Sequence, residues 1–280
     1  MANRGAVVGA ILVLGLLALA IVGPCIHDKD PIATNIDHGL SDVGAPLAPS
    51  SDAWLGTDHL GRDVLSRVIA GAGTSLAIAS IATALALAIG LAVGLAAGYA
   101  GGHVDNALMR LVDLVLAFPF LLLAILLAAL LRQRTIQSSI TPVVITLGAV
   151  GWTTTARVIR GKAMTLSRSE HVVAARAIGA SPWRIVVRHI LPNLLGVVIV
   201  LTALGFAQNL LAESVLSYLG LGPPPPAPTW GRMLYEGRIY YRTAPWLTIA
   251  PGVAILMAVV GFNLVGEGLR DALDPRRERA

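Results

Sequence analysis

The chain has 280 residues, of which 55% are hydrophobic and only 13% are charged, with a mean hydropathy of +0.74. A soluble domain would carry about 25% charged residues, so the composition excludes an ordinary soluble protein and indicates a polytopic membrane protein. The net charge of +5 would suit nucleic acid, but the basic residues lie between apolar runs, where anionic lipid and membrane orientation explain them better.

The first apolar run, from Ala6 to Val22, is followed by Gly23, Pro24 and Cys25 and so imitates a lipoprotein signal peptide. A proline directly before the cysteine makes a poor processing site, and five further apolar runs follow. We therefore predict an uncleaved first transmembrane helix. Because Cys25 is the single cysteine, an internal disulfide framework is excluded.

Six apolar runs are long enough to cross a hydrocarbon core, which takes about 20 helical residues. The predicted spans are residues 6–26, 74–99, 107–131, 140–158, 194–219 and 246–264. With the N-terminus inside, 13 of the 21 lysines and arginines fall in cytoplasmic segments, which predicts that both termini are cytoplasmic. Residues 27–72 and 220–245 are then outside, and residues 162–193 form a cytoplasmic loop.

The first outside segment ends in GTDHLGRDVLSR at residues 56–67. We predict a glycine-punctuated loop there, followed by a short amphipathic piece at the membrane interface. The histidines of this segment, His27, His38 and His59, do not have the spacing of metal ligands, so we predict solvated loop histidines.

Glycines recur every four residues in the second span, at Gly90, Gly94, Gly98 and Gly102. A helical face without side chains lets another helix approach closely. The stripe fits either a sliding helix that lines a pathway or a static packing seam. The sequence GYAGGHVD at residues 98–105 predicts a short cytoplasmic turn.

In the third span, Arg110 and Asp113 are three residues apart and can pair with each other. Pro119 should kink this helix by removing a backbone hydrogen bond, either as a gating element or only as shape. In the fourth span, the threonines at 153–155 can bond across helices or to their own backbone.

The basic stretch between the fourth and fifth spans is punctuated as two short helices. Ser167 and Glu170 form a capping box, which predicts a helix start at Ser167. Gly179 fits the left-handed position that ends this helix, because a residue without Cβ adopts positive φ cheaply.

The second short helix is predicted to begin at Ser181, which serves as N-cap with Pro182 at the first helical position. Pro192 is predicted to break that helix. In the fifth span, Glu213 lies about 29 Å from Leu194 at 1.5 Å per residue. This equals about the hydrocarbon thickness, so Glu213 is expected at the outer mouth of a pathway and not as a buried proton relay.

Gln208 and Asn209 lie about 21–23 Å along the same span. They either line the outer half of a pathway or hydrogen-bond to another helix. Past this span, four consecutive prolines from Pro223 to Pro226 predict a stiff outside loop.

The stretch 167–193 closely resembles the loop by which ABC importer permeases dock on their ATPase. The residues to which the resemblance assigns this coupling role are Glu170, Ala174, Ala175, Gly179, Ala180, Ser181, His189, Leu191, Pro192 and Asn193. The GTDHLGRDVLSR stretch resembles the signature of the C-type permease subunit of dipeptide and oligopeptide importers. The sequences YLGLG at 218–222 and GEGLRDALDP at 266–275 fit the same family, with Tyr218 in place of the usual phenylalanine.

This resemblance implies an all-α protein with the type I ABC importer permease fold, in which residues 1–280 form one transmembrane domain with six helices and a cytoplasmic two-helix coupling loop. It implies a heterodimer with a B-type permease in the bacterial inner membrane, one or two ABC ATPase subunits, and an extracytoplasmic binding protein. The residues implied to face the binding protein are Gly222, Pro223, Pro224 and Trp230. The implied cargo is a di- or oligopeptide, with nickel, haem or glutathione as alternatives.

Two rival classes are disfavoured by the residues. Enzyme motifs such as the P-loop are missing, because Gly161 and Lys162 are followed by Ala163 and lack the upstream glycine. We expect no metal, cofactor or catalytic residue here, with ATP and Mg²⁺ bound by partner ATPases. A secondary transporter or channel usually places ionisable groups in mid-membrane, whereas the middles of the predicted spans are uncharged.

Overall fold

The computed structural model describes residues 4–134 and 140–272, and this part of the chain is helical, without a β-strand. The α-helices are α1 Arg4–Ile26, α2 Ile36–Gly39, α3 Val64–Ala100, α4 Gly102–Leu116, α5 Phe120–Arg134, α6 Thr141–Ser167, α7 Glu170–Ala177, α8 Pro182–Ile185, α9 Leu191–Tyr218, α10 Trp230–Gly237 and α11 Trp246–Ala272. A π-helical turn, Val186–Ile190, joins α8 to α9, and a short 3-10 helix, Arg238–Tyr240, follows α10.

Five helical stretches are long and apolar enough to cross a membrane, namely α1, α3, α6, the continuous stretch Pro182–Tyr218 and α11. Helices α4 and α5 form a sixth span if they are counted together. The all-α class is therefore confirmed. The N-terminal tail, residues 135–139 and the C-terminal end after 272 lie outside the described residues, and so do the last three residues of the GEGLRDALDP sequence.

Helix α3 begins at Val64 and not near residue 74, so the predicted interfacial piece is wrong. Its first turns are buried against protein, since Val68 and Ala72 pack in the core with Trp230 of α10. Hydropathy alone does not detect these turns, because they carry Arg67, whose side chain is only 2% exposed. The predicted amphipathic piece is the buried beginning of the long span.

A turn is present within residues 98–105, since α3 ends at Ala100 and Gly101 and Gly102 adopt φ of +64° and +53°. Its cytoplasmic location stays a prediction. Pro119 does more than kink the third span. The helix is interrupted between Leu116 and Phe120, and the axes of α4 and α5 are bent by 86° relative to each other.

The glycine stripe of α3 is a packing seam against α6. A Cβ at Gly90, Gly94 or Gly98 would lie within 2.6–2.8 Å of α6 atoms, including the carbonyl oxygens of Trp152, Ala156 and Arg160. Such contacts leave room only for hydrogen, so these glycines fix the helix pair. Gly102 is not part of the seam, because it starts α4 and a Cβ there would meet open space.

On the other side of the bundle, α1 and α9 both pack against α11. Gly9 of α1 lies against the backbone of Gly261, and Phe206 of α9 stacks on Phe262 with ring centroids 3.9 Å apart. Most of α1 remains exposed although it is apolar, for example at Ile21. This exposure is typical of a helix that faces lipid.

Candidate functional site

The predicted pair of short helices is present, as α7 and α8. Gly179 has φ of +82° between them, and the Ser181 hydroxyl accepts a hydrogen bond from the Arg184 backbone N–H at 3.4 Å. The capping box is wrong, because Ser167 is the last residue of α6 and its hydroxyl donates to the Met164 carbonyl at 2.8 Å. Ser169 occupies the N-cap position of α7 instead.

Pro192 does not break the second helix. The chain passes from α8 through the π-helical turn into α9 as one helical stretch, Pro182–Tyr218. The π turn pairs each N–H with a carbonyl five residues back, which changes the register just before the proline. The Asn193 side chain donates to the His189 carbonyl at 2.7 Å, so a side-chain amide also bonds the backbone at this point.

Residues 168–193, here called the two-helix segment, have a core of their own. Val172, Ala175 and Ile185 are buried together with Ile159 of α6 and Leu194 of α9. The guanidinium of Arg176 also lies 5.7 Å from the ring centroid of Tyr99 at the end of α3. The segment is therefore packed onto the ends of three long helices, and Ala175 supports it from within.

The opposite face of the two-helix segment is open. Six of the predicted coupling residues are exposed: Glu170, Ala174, Gly179, Ser181, Pro192 and Asn193. The other three, Ala180, His189 and Leu191, are partly buried. This face also carries two residues that sequence reasoning missed, Ile178 and Trp183, which are 87% and 77% exposed. The available signal was two large apolar residues inside a basic, polar stretch.

A groove of about 310 Å³ lies between α3, α6, α9 and the break between α4 and α5. The structure thereby brings together Pro119, the threonines at 153–155, Gln208 and Asn209. Its remaining lining is mostly apolar, and none of the described residues that line it carries a charge.

Asn209 makes the predicted interhelical hydrogen bond, and its place in a pathway stays a prediction. This residue is only 4% exposed, and its side chain donates to the Thr83 hydroxyl on α3 at 2.9 Å while also lining the groove. Gln208 is exposed and lines the groove as well. Glu213 does not line the groove, because it is fully buried and accepts a hydrogen bond from Ser217 at 2.6 Å.

At the far end from the two-helix segment, three arginines and two carboxylates form a buried charge cluster. It consists of Asp58, Arg62, Arg67, Arg232 and Glu236. Glu236 lies 2.9 Å from each of the three guanidiniums, and Asp58 lies 2.7 Å from Arg62 and 3.4 Å from Arg67. The cluster ties the GTDHLGRDVLSR stretch to α10, a helix that sequence reasoning missed.

Trp230 cannot face a binding protein in this structure, so that prediction is wrong. Its side chain is fully buried, and its indole N–H donates to the Val68 carbonyl at 3.0 Å. Of the other residues in the same prediction, Pro223 is buried, and Gly222 and Pro224 are partly buried. The predicted proline-rich loop is present, but the chain after it folds back as α10 and inserts the indole beside α3.

Asp63 caps α3 and joins it to the end of α1. Its carboxylate accepts the backbone N–H of Ser66 at 2.9 Å and lies 2.9 Å from the His27 ring and 3.4 Å from Lys29. Burial raises the pKa of Asp63, but hydrogen bonds from Ser66 and His27 and the charge of Lys29 outweigh it and hold the pKa below its ordinary value.

The histidines are therefore not all solvated. His38 is exposed, but His27 contacts Asp63 and the ring of His59 stacks on Tyr240 at 6.1 Å. Asp58, His59 and Glu236 bring their ligand atoms within 4.8 Å of one another. These carboxylates already accept hydrogen bonds from arginines, so a cation does not fit there.

Comparison with known proteins identifies the family. Residues 90–279 match the family described as the binding-protein-dependent transport system inner membrane component. The chain belongs to this family. It is 38% identical over 98% of its length to the dipeptide transport system permease protein DppC of Alkalihalophilus pseudofirmus, of which it covers 86%.

Two further relatives are similar over the same extent. The oligopeptide transport system permease protein OppC of Salmonella typhimurium is 41% identical over 99% of this chain and 88% of that protein. The glutathione transport system permease protein GsiD of Shigella flexneri is 41% identical over 97% of this chain and 86% of that protein. These relatives are thus named as permease proteins of dipeptide, oligopeptide and glutathione transport systems.

The fold also matches that of a solved transporter. A chain of the MetNI methionine ABC transporter, solved in inward-facing conformations, superposes with a TM-score of 0.60 at 18% identity. The match covers 75% of this permease chain and 98% of that chain. This likeness confirms the type I importer permease fold, and the family match at 90–279 contains the whole two-helix segment.

Proposed function

We propose that this permease is the C-type subunit of an ATP-driven importer in the bacterial cytoplasmic membrane, with both termini cytoplasmic. It forms a translocation pathway with a B-type permease, and the cargo is a di- or oligopeptide delivered by an extracytoplasmic binding protein. The relatives named for dipeptides, oligopeptides and glutathione support this cargo, since all three names denote peptides.

One or two ABC ATPase subunits supply the energy and bind ATP and Mg²⁺. The observation that carries this proposal is the open face of the two-helix segment, where Ile178 and Trp183 are the most exposed large apolar residues. Exposed large apolar side chains within a basic, polar segment are typical of a surface that a partner covers. Because the permease sequence lacks a P-loop, a separate chain must hydrolyse the ATP.

The fold suits transmission by a rigid lever. The two-helix segment shares a core with Ile159 of α6 and continues without a break into α9. Helices α6 and α9 also line the groove. A displacement of the segment by the ATPase therefore moves two walls of the groove together, which is what alternating access requires.

The proposal is tested by Glu170→Ala and Gly179→Val in the complete importer reconstituted in vesicles. Valine cannot adopt the φ of +82° without strain, so Gly179→Val should disorder the turn between the helices. Both variants should lower ATP-dependent peptide uptake about tenfold, as expected for a lost coupling of 1–3 kcal/mol, while ATP hydrolysis continues and the complex stays assembled.

Gly161→Ala is the matched control, because Gly161 is an exposed glycine of α6 where a Cβ meets open space. This variant should transport normally. Normal uptake by both Glu170→Ala and Gly179→Val would contradict the coupling role. ATP-independent uptake by the purified permease alone would instead identify a secondary transporter or channel.

A further inference from the structure

We propose that the groove between α3, α6 and α9 receives the peptide backbone through neutral hydrogen bonds, so that cargo passes it according to size and not according to charge. This inference rests on the proposed function, and it adds the chemistry of the pathway and the residues that set it.

The groove lies near the middle of every long helix that contributes to it. Thr83 is close to the centre of α3, Gly151 and Thr154 are close to the centre of α6, and Gly205 is close to the centre of α9. The nearest charged groups along these helices do not line the groove: Glu213 of α9 is fully buried, and Arg157 and Asp113, two residues beyond the lining residues Thr155 and Val115, are paired with each other. A cargo at this level meets only neutral groups of this chain.

The polar atoms of the groove are hydroxyls and carboxamides. Because the amide nitrogen of Asn209 donates to Thr83, its oxygen is left facing α6, where a Cβ at Gly151 would lie 3.6 Å from it. This oxygen accepts hydrogen bonds, and the hydroxyl of Thr154 and the carboxamide of Gln208 both donate and accept. These groups pair with peptide N–H and C=O groups, which every residue of a peptide presents.

The same lining does not suit nickel or haem as cargo. A divalent metal ion stripped of its water is held by carboxylates, imidazoles or thiolates, and none of the described lining residues offers one. Haem carries two carboxylates, for which arginine is the usual partner. A neutral conduit therefore favours a chain of amides over either of these.

Two glycines set the width of the groove. A Cβ added at Gly151 would come no nearer than 3.4 Å to Ala86, and one at Gly205 would lie 3.6 Å from Thr83, which are ordinary contacts. Both positions therefore have room for a Cβ, and because both glycines line the groove, we expect the further atoms of a larger side chain to narrow it.

The test uses the complete importer in vesicles with saturating binding protein and three labelled probes, which are tripeptides with central Ala, Trp or Asp. Gly205→Leu should lower uptake of the Trp peptide at least about tenfold relative to the unmodified importer, which corresponds to 1.4 kcal/mol, and the Ala peptide much less. Gly252→Leu is the control, since Gly252 of α11 has open space for a Cβ and does not line the groove.

Charge is tested by the isosteric pair Thr154→Asp and Thr154→Asn. The aspartate should slow the Asp peptide about tenfold more than the Ala peptide, because like charges brought together in a narrow groove repel each other. Thr154→Asn should change the uptake of both peptides by the same factor. Equal uptake of all probes by Gly205→Leu, or equal effects of Thr154→Asp on both peptides, would overturn the inference.

These outcomes are distinct from a failure of the proposed function. If the unmodified importer takes up none of the tripeptides with ATP, the proposed function and this inference both fall. If Gly179→Val uncouples as expected while Gly205→Leu is silent, only the groove assignment falls.

Discussion

Glu236 illustrates how one residue can hold two distant parts of the chain together. It lies 2.9 Å from Arg62, Arg67 and Arg232, and so joins the start of α3 to α10. The cluster contains three cations and two anions, so loss of Glu236 leaves the buried guanidiniums of Arg62 and Arg67 facing Asp58 alone and removes the ion-pair partner of the partly exposed Arg232. Removing one partner of a buried ion pair costs far more than the pair contributes, because the remaining charge is left without compensation.

We therefore expect Glu236→Gln to lower the free energy of unfolding by about 3 kcal/mol, the lower end for a broken buried pair. Glutamine keeps the volume and removes only the charge, and SDS-induced unfolding in detergent measures the difference. Glu267→Gln on the exposed face of α11 is the control and should change stability by less than about 0.5 kcal/mol. Equal effects of the two variants would show that the buried charge cluster does not stabilise the fold.

The residues that sequence analysis predicted correctly are those whose backbone chemistry is local. Gly179 and Ser181 act through their own φ angle or their own cap, so neighbouring residues suffice to predict them. Trp230 was misplaced because its environment is made by α3, which is more than 150 residues earlier in the chain. An aromatic residue after a proline-rich loop looks interfacial until the helix that buries it is known.

At the scale of elements, α4 is anchored to α6 by two ion pairs of different quality. Asp105 is 7% exposed and accepts two hydrogen bonds from Arg160, one of them from Nη2 at 2.6 Å. Asp113 lies 2.5 Å from Arg157, not paired with Arg110 as its spacing had indicated, and both side chains of this pair are more than half exposed. Exposed pairs contribute little, so the anchor is Asp105.

We expect Asp105→Asn to destabilise the protein by about 1.5 kcal/mol, the lower end for a charged hydrogen bond because Arg160 is one-third exposed. Asp113→Asn should cost no more than about 1 kcal/mol. The charge swap Asp105→Arg with Arg160→Asp should recover part of the loss. Thermal unfolding in detergent measures all three, and a larger loss from Asp113→Asn would place the anchor at the other pair.

The extents of the spans show what hydropathy can and cannot predict. The helix pattern and the break at Pro119 follow from apolar run lengths and from a missing backbone N–H. Hydropathy underestimates the lengths of α3 and α6, because one end of each helix extends beyond the apolar run and is buried by protein. These ends lie around Arg67 in α3 and Ala163 in α6. Likewise, α10 is too short and too polar to register as an apolar run.

At the scale of the molecule, the buried charge cluster, the groove and the two-helix segment follow one another along the same long helices. The buried charge cluster closes one end, the groove lies between α3, α6 and α9, and the two-helix segment is packed on the other end. The glycine seam fixes α3 to α6 between these regions. In such a molecule, ion pairs between side chains hold one end together, and the other end exposes apolar side chains.

The open end supplies the last prediction, which concerns assembly. Trp183 is 77% exposed in the two-helix segment, and docking of the ATPase on this face should bury it together with Ile178. Adding the purified ATPase subunits to the permease pair in nanodiscs should therefore reduce acrylamide quenching of tryptophan fluorescence. The reduction should be absent in Trp183→Phe and retained in Trp54→Phe, because Trp54 is similarly exposed but lies in the segment before α3. Quenching that falls equally in both variants would mean that the ATPase does not cover this face.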